Sequence, residues 1–405
     1  MGDKGSMTRF LAYSPEQSYL LPPNVGEVLG GDHVCFFVHE VVERLDLSRF
    51  LEAYSEEGGR LYHPALMLKV WLYAYVLGMT SARRLEQRIR EDLAFRYLAG
   101  GGQPDYWALN EFRRRQGRGI NDVFVQVLET AQKLGLGRLG TVAIDSTRVK
   151  ANASGDEVER VMEPRQERAR KRRQVRSWQK ACAGDNPNEG AGASVGAAKD
   201  KLAEVAVPRR LEALPKVQKR SRTDPESRFL RERGGRFVLG YTGEVAVSED
   251  HFIVAARVTQ SEHDAHALVP MVDEVERNCG QRPGRVLADS GFYSNDNVAE
   301  LSGRGIDVYT PDSNLAHELN GGERATGVGR MPASHPHLLA MRDKLRTPQG
   351  RQRYRQRQSI VEPVFGTLKE QRDMRRFRLR GLAKVSIEWT LAALAYNLSR
   401  MYQVR

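Results

Sequence analysis

Through the first third of the chain, apolar residues recur at helical spacing, from Asp32 to about Gln132. The run PALMLKVWLYAYVLGM (64–79) opens with Pro64, suited to a first helical turn. Thr80 and Ser81 can cap the next helix, which runs through RRLEQRIREDLAFRYLAG to a glycine stop. Pro104 and Asp105 open a third, YWALNEFRRRQG, with its basic residues late. Several short helices with tight turns make a compact α-domain. That class includes helix-turn-helix DNA readers as well as plain packing and dimerisation modules.

The period then changes. TVAIDSTRV (141–149) alternates and is rich in β-branched residues, which predicts a strand. Residues 150–235 are polar, rich in Lys and Arg and poor in aromatics, and include the run GAGASVGAA; they read as an insertion, part helix and part disordered. Arg236–Ser248 and His251–Gln260 flank Glu249-Asp250 as a hairpin. A helix follows over 264–279, then the strand RVLAD (285–289), a loop, the helix DNVAELSGRG and a strand over 307–310. Residues 311–350 read as irregular, and helices over about 354–374 and 382–402 finish the order. The sum is an α/β core with a mixed sheet, interrupted twice and preceded by helices.

Composition narrows the class. A chain of 405 residues exceeds one small core, and 40% hydrophobic with 8% aromatic residues excludes wholesale disorder. Cys35, Cys182 and Cys279 lie far apart with no CxxC pair, against a disulfide scaffold or a cysteine zinc site and in favour of a reducing cytoplasm. The most apolar stretch, Ala65–Met79, holds Lys69 and falls short of the roughly 20 residues that span a bilayer. The start of the sequence lacks the apolar run of a secretory signal.

The net charge of +12 points to an anionic partner, and two windows carry it. Arg165–Arg176 is net +6 and Arg351–Arg380 is net +7, which leaves the rest of the chain nearly neutral. The first reads as a basic arm, with Arg170, Lys171, Arg172 and Arg173 at its centre, able to release counterions on DNA or simply to be solvated.

Three acids stand where phosphoryl-transfer chemistry wants them. Asp145 lies in an apolar strand, Asp289 closes RVLAD at the carboxyl end of another, and Glu362 sits in SIVEPVFGTLKEQ. Pro363 suits a first helical turn, which would let Glu362 project from a helix start near the sheet. Hard divalent cations in a pair need bridging and terminal carboxylates, and clamp the attacking and leaving oxygens of an in-line displacement. Lys369, seven residues on from Glu362, falls on the same helical face roughly 10 Å along. In SEHDAH, His263 and His266 could pair on a metal with Asp264, but capping by Ser261 or Asp264 is the simpler account. The glycines at 100–102 and 321–322 lack the strand-to-helix context of a nucleotide loop.

Several stretches together resemble the bacterial insertion-sequence transposases of the DDE type. AIDSTRVKANAS (143–154) is similar to the segment around that family's first Asp, and LADSGFYS (287–294) to its Asp-x-Gly-Tyr/Phe motif. TDPESRF (223–229) with GYTGEVAV (240–247) resembles its Asp-Pro-Asp-Ala-Arg stretch and Gly-Tyr strand, with Gly243-Glu244 where many relatives have Asn-x-Gln. YRQRQSIVEPVFGTLKE (354–370) resembles Tyr-x2-Arg-x3-Glu-x6-Lys, with Arg357 five residues before the Glu instead of four. The likeness runs from about Leu20 to Tyr402.

The resemblance implies an RNase H-like (integrase-like) α/β catalytic core with a mixed sheet and insertions, preceded by an all-α N-terminal domain. On this view residues 1–25 are a loose lead-in, 26–140 the helical DNA-binding domain, and 141–405 the catalytic domain, interrupted at 150–235 and 311–350. It implies Asp145, Asp289 and Glu362 as ligands of two Mg²⁺, with Mn²⁺ able to substitute, and Tyr354, Arg357 and Lys369 on the DNA backbone. The partners implied are double-stranded DNA, as terminal inverted repeats and as target, and a second copy of the chain in the synaptic complex; the setting implied is the bacterial cytoplasm, at the nucleoid. The activity implied is cleavage at transposon ends and joining of the freed 3′-hydroxyl to target DNA. A catalytically silent DNA-binding derivative and a simple metal-dependent nuclease stay open as alternatives.

Overall fold

Strand β1 (Thr141–Lys150) sits at the centre of a mixed sheet because it is apolar at its start, with Val142, Ala143 and Ile144 all fully buried. The computed structural model describes residues 24–52, 62–154, 157–161, 218–232, 235–319 and 336–405. Beyond β1, Val158–Val161 (β2) and Gln218–Ser221 (β3) form a separate antiparallel pair. Four further strands join the main sheet: Arg228–Arg231 (β4), Phe237–Ser248 (β5), Ile253–Thr259 (β6) and Arg285–Ala288 (β7). Asp307–Tyr309 (β8) forms its far edge.

β5 runs antiparallel to β1 on one side and to β4 and β6 on the other, while β7 and β8 run parallel to β1. The order along the sheet is therefore β6-β5-β1-β7-β8, with β4 extending the β6 edge. Gly240 is required where β5 meets β1, since a Cβ there would lie 2.1 Å from the Val149 carbonyl oxygen.

Among the described residues, helices α1 to α8 precede the sheet: Val25–Val28, Val34–Glu43, Ser48–Leu51, Pro64–Val76, Ala82–Glu91, Leu93–Leu98, Tyr106–Arg115 and Gly117–Lys133. The sequence reads 82–98 as one helix, but Asp92 divides it. Its carboxylate accepts from the Ala94 and Phe95 amides and so starts a new helix at Leu93. Six helices follow β6: α9 (Leu268–Cys279), α10 (Asn295–Gly303), α11 (Ser313–Leu319), α12 (Pro336–Arg346), α13 (Pro348–Gly366) and α14 (Leu382–Gln403).

Two expectations need correction. The 311–350 stretch contains α11 and α12, with Leu315 buried in the first and Met341 and Leu345 buried one turn apart in the second. Pro363 lies inside α13 and does not start it; α13 begins at Pro348, capped by Thr347. The described margins of the 150–235 insertion are strands β2, β3 and β4, and its interior, with Arg165–Arg176, lies outside the described residues.

Helix α14 joins the two regions. It is buried along nearly its whole length, packing on β6 and on α2, α4, α7 and α8. Asn397 locks it to the sheet, accepting from the Ile253 amide at 2.9 Å and donating to the Ile253 carbonyl at 2.8 Å. Trp389 donates to the Glu244 carbonyl at 3.0 Å and fills the space above Gly243. One continuous hydrophobic core therefore runs from Cys35 through the sheet to Met401. Among the described residues no helix is long and apolar enough to cross a membrane.

Candidate active site

The parallel register of β1 and β7 pairs Ile144 with Ala288, so the next residue of each strand is an acid: Asp145 and Asp289. Neighbouring strands lie about 4.8 Å apart, which brings the two acids side by side where β7 ends. Asp289 turns the chain, its Oδ1 accepting from the Gly291 amide at 2.8 Å and capping a short 3₁₀ turn, Ser290–Phe292. Its carbonyl accepts from the Thr310 hydroxyl at 2.9 Å. Glu362 comes from α13 and is exposed on the wall of the same cavity.

That cavity holds about 510 Å³. Asp145, Asp289 and Glu362 line it together with Arg357, Lys369, Arg148 and Asp264. Of the residues expected in the site, five thus share one wall. Tyr354 stands behind them: its hydroxyl bonds to Arg357, and burial pushes the phenol up. Arg170, Lys171, Arg172 and Arg173 lie outside the described residues.

Arg357 is nearly buried and donates from Nη1 to Asp145 Oδ2 at 2.8 Å. Burial works against its charge, but Asp145 and Tyr354 outweigh that and hold it protonated. Its guanidinium is therefore committed to the first acid and not presented to solvent. Lys369 lies on a π turn, Thr367–Gln371, that continues α13 from four residues beyond Pro363. Pro removes a helical donor, and π irregularities of this kind are frequent at functional sites. Burial, helped by Arg375, draws the Lys369 ammonium below its usual range.

The sequence reading puts neither Arg148 nor Asp264 in this site, and takes Asp264 as a cap or as a partner of His263 and His266 on a metal. Arg148 lies three positions beyond Asp145, and its only signal is a charge within a β-branched strand. Asp264 lies in SEHDAH, where the histidines draw attention, yet it is the acid that lines the cavity. Arg148 Nη1 lies 3.4 Å from Asp264 Oδ1, and both side chains are largely buried. Burial raises the Asp264 carboxyl, with the Asp289 charge adding to it, while Arg148 and the Ser146 hydroxyl oppose.

The TDPESRF stretch proves to be architectural. Asp224 is buried, its Oδ1 accepting from the Tyr241 hydroxyl at 2.8 Å and from the Gly381 amide at 3.2 Å, at the start of α14.

Among the described residues no three His, Cys, Asp or Glu side chains are gathered tightly enough to hold a metal ion. The donor set still fits a hard divalent cation in kind, since Asp145, Asp289, Glu362 and Asp264 offer only carboxylate oxygens. In this pose Asp145 is held by Arg357.

Residues 210–398 match the family described as the transposase DDE domain, and residues 25–115 match a transposase domain of the DUF772 family. Solved structures similar to the chain include the Mos1 transposase paired-end complex with left transposon end, at 10% identity over 92% of this chain and 99% of that one, with a TM-score of 0.18. A pre-cleavage Mos1 transpososome matches at 10% identity over 94% and 98%, with a TM-score of 0.19. No curated protein matches. The two family matches fall in order on helices α1 to α7 and on the stretch from β3 into α14, and the chain belongs to the DDE-type transposases of insertion sequences.

Proposed function

We propose that this transposase cuts DNA at the transposon ends and joins the freed 3′-hydroxyl to target DNA in the cavity bounded by Asp145, Asp289 and Glu362. The observation that carries the proposal is the convergence of these acids, from β1, the end of β7 and α13, on one wall with Lys369 and Arg357. The strand order β6-β5-β1-β7-β8, three antiparallel and two parallel, supports an RNase H-like core. The family works with divalent metal ions; two Mg²⁺ ions, or Mn²⁺ in their place, held by Asp145, Asp289 and Glu362, would neutralise charge and activate oxygen in an in-line phosphoryl displacement.

The chain's own side chains bind and orient. Arg357 fixes the Asp145 carboxylate, and Tyr354 backs Arg357. Lys369 offers a cation to a phosphate at the cavity wall, and Arg170, Lys171, Arg172 and Arg173 add phosphate contacts of their own. The helical region over 26–140 reads the terminal inverted repeats. In support, α5 exposes Arg83, Arg84, Arg88 and Arg90 on one surface. Bringing two ends together takes two copies of the chain, working on chromosomal DNA at the nucleoid.

The test supplies duplexes bearing the element's inverted-repeat ends with Mg²⁺ and compares wild type with Asp289→Asn. The expected result is cut and joined products from wild type only, with DNA binding kept by both. Binding without cutting by wild type would leave a silent DNA-binding protein. Cutting without joining would leave a nuclease.

A further inference from the structure

Five carboxylates line the catalytic cavity, Glu232 and Asp264 beside the expected three, and Asp264 is built into the scaffold that holds Asp145 and Asp289. Asp264 opens a 3₁₀ turn, Asp264–His266, between β6 and α9. Its Oδ2 and Asp289 Oδ1 approach one point from two sides: a Cβ on Gly291 would lie 3.3 Å from the first and 3.1 Å from the second. A side chain there would press on both carboxylates, which would have to give by a few tenths of an ångström. The two 3₁₀ turns are also clamped by one amide, Asn297 Nδ2 donating to both the Ala265 and Phe292 carbonyls.

Asp264 is tied to β1 as well. The Ser146 hydroxyl, on the residue after Asp145, bonds to it. Arg148 makes the second tie and spreads three ways: Nη1 to Thr242 Oγ1 on β5 at 2.6 Å, Nη2 to the Glu262 carbonyl at 2.7 Å, and Nη1 toward Asp264 Oδ1 at 3.4 Å. Thr242 in turn donates to the Ser261 carbonyl at 2.7 Å, closing the loop back onto the 264 turn. An acid that served only as a helix cap would need none of these partners, and none of these contacts caps α9.

We infer that Asp264 is a positioning residue of the catalytic cavity, which through Ser146, Arg148 and the turn at Gly291 fixes the distance between the Asp145 strand and the Asp289 turn. This rests on the proposed role of Asp145 and Asp289. Groups that orient metal-binding carboxylates without being the primary ligands characteristically govern both affinity for the ion and rate.

The experiment uses the full chain as wild type, Asp264→Asn, Asp264→Glu and Asp289→Asn. Three readouts are taken: Mn²⁺ binding by electron paramagnetic resonance, single-turnover cleavage of end duplexes against Mn²⁺ concentration, and end binding with melting temperature as controls. Asp264→Asn should weaken Mn²⁺ binding and slow cleavage by about tenfold each, while end binding and melting stay at wild-type values. Asp264→Glu should recover part of both losses, since the charge remains. Wild-type Mn²⁺ binding and cleavage in Asp264→Asn would overturn the inference. So would losses that follow a drop in melting temperature and end binding, or that Asp264→Glu does not relieve. Asp289→Asn separates the two claims: if it cuts like wild type, the reading of the cavity fails; if it is dead while Asp264→Asn is normal, only the positioning role fails.

Discussion

Glu388→Gln is expected to destabilise the protein out of proportion to its size. Glu388, on α14, and Arg113, on α7, are each 1% exposed, with Arg113 Nη1 2.9 Å from Glu388 Oε1. The other carboxylate oxygen accepts from the Arg378 and Leu379 amides at 2.8 and 3.0 Å. Arg113 is further bonded to the Tyr75 hydroxyl, the Thr80 carbonyl and Asn110, and lies 4.3 Å over the Trp71 ring. Burial pushes the Glu388 carboxyl up, and Arg113 pulls it back.

Removing the carboxylate charge strands a buried guanidinium. Two opposite charges about 4 Å apart at an effective dielectric of 20 attract by about 4 kcal/mol. Breaking one side of a buried pair costs about 3–5 kcal/mol, which agrees. For a chain of this size that loss lowers the melting temperature by roughly 5 °C. Replacing both partners, as Arg113→Met with Glu388→Leu, removes the stranded charge and should recover most of the loss. Urea midpoints and calorimetry of the singles and the double give the coupling energy, expected at about 2 kcal/mol or more. A cost below about 1 kcal/mol for Glu388→Gln, or strict additivity of the two singles, would refute the reasoning.

Glu244 carries a pH signature. It is buried on β5 with Thr259 Oγ1 at 2.9 Å, and burial pushes its carboxyl up from 4.5 to about 7. Between those values the folded state keeps a proton that the unfolded chain releases, so stability falls as pH rises across that window and levels off above it. The fall amounts to about 3 kcal/mol, and Glu244→Gln should remove it in urea midpoints compared at about pH 5 and about pH 8; an unchanged slope counts against it. Asp224→Ala should cost about 2–4 kcal/mol by leaving the Tyr241 hydroxyl and the Gly381 amide unpaired, and Tyr241→Phe should cost less in that background than alone. Equal costs of Tyr241→Phe in the two backgrounds would deny the bond its role.

What could be read from residues alone follows the range of the interactions. The helix at 64–79, the strand at 141–149 and the hairpin around Glu249-Asp250 were legible because each is set by period or turn chemistry within a few residues. Long-range partners were not. Thr80 looks like a cap for α5, yet its hydroxyl donates to Asp373 at 2.8 Å, a residue far along the chain, and Ser81 makes no side-chain cap bond. Pro363 reads as a helix start because Pro disfavours helix interiors, and tertiary packing of Ile360, Val361 and Val364 outweighs that preference. For the cavity, Asp145, Asp289 and Glu362 were legible as strand, strand end and helix. Their meeting rests on the β1–β7 register, and Asp264 joins them through Ser146 and Arg148, which no local pattern encodes.

Helix α14 also sets an order of events during synthesis. Residues 382–403 leave the ribosome after every strand and helix they bind, across separations of some 300 residues to α4. Until then, the faces of β6 and α4 that α14 covers stay open, and contacts so distant in sequence are slow to close. The nascent chain thus carries two unfinished, sticky halves for most of its translation, a state in which chaperone capture or aggregation competes with folding. A ribosome stalled shortly before Leu382 should hold a chain that proteases cut readily in the helical region, and one stalled well past Gln403 a chain that resists them.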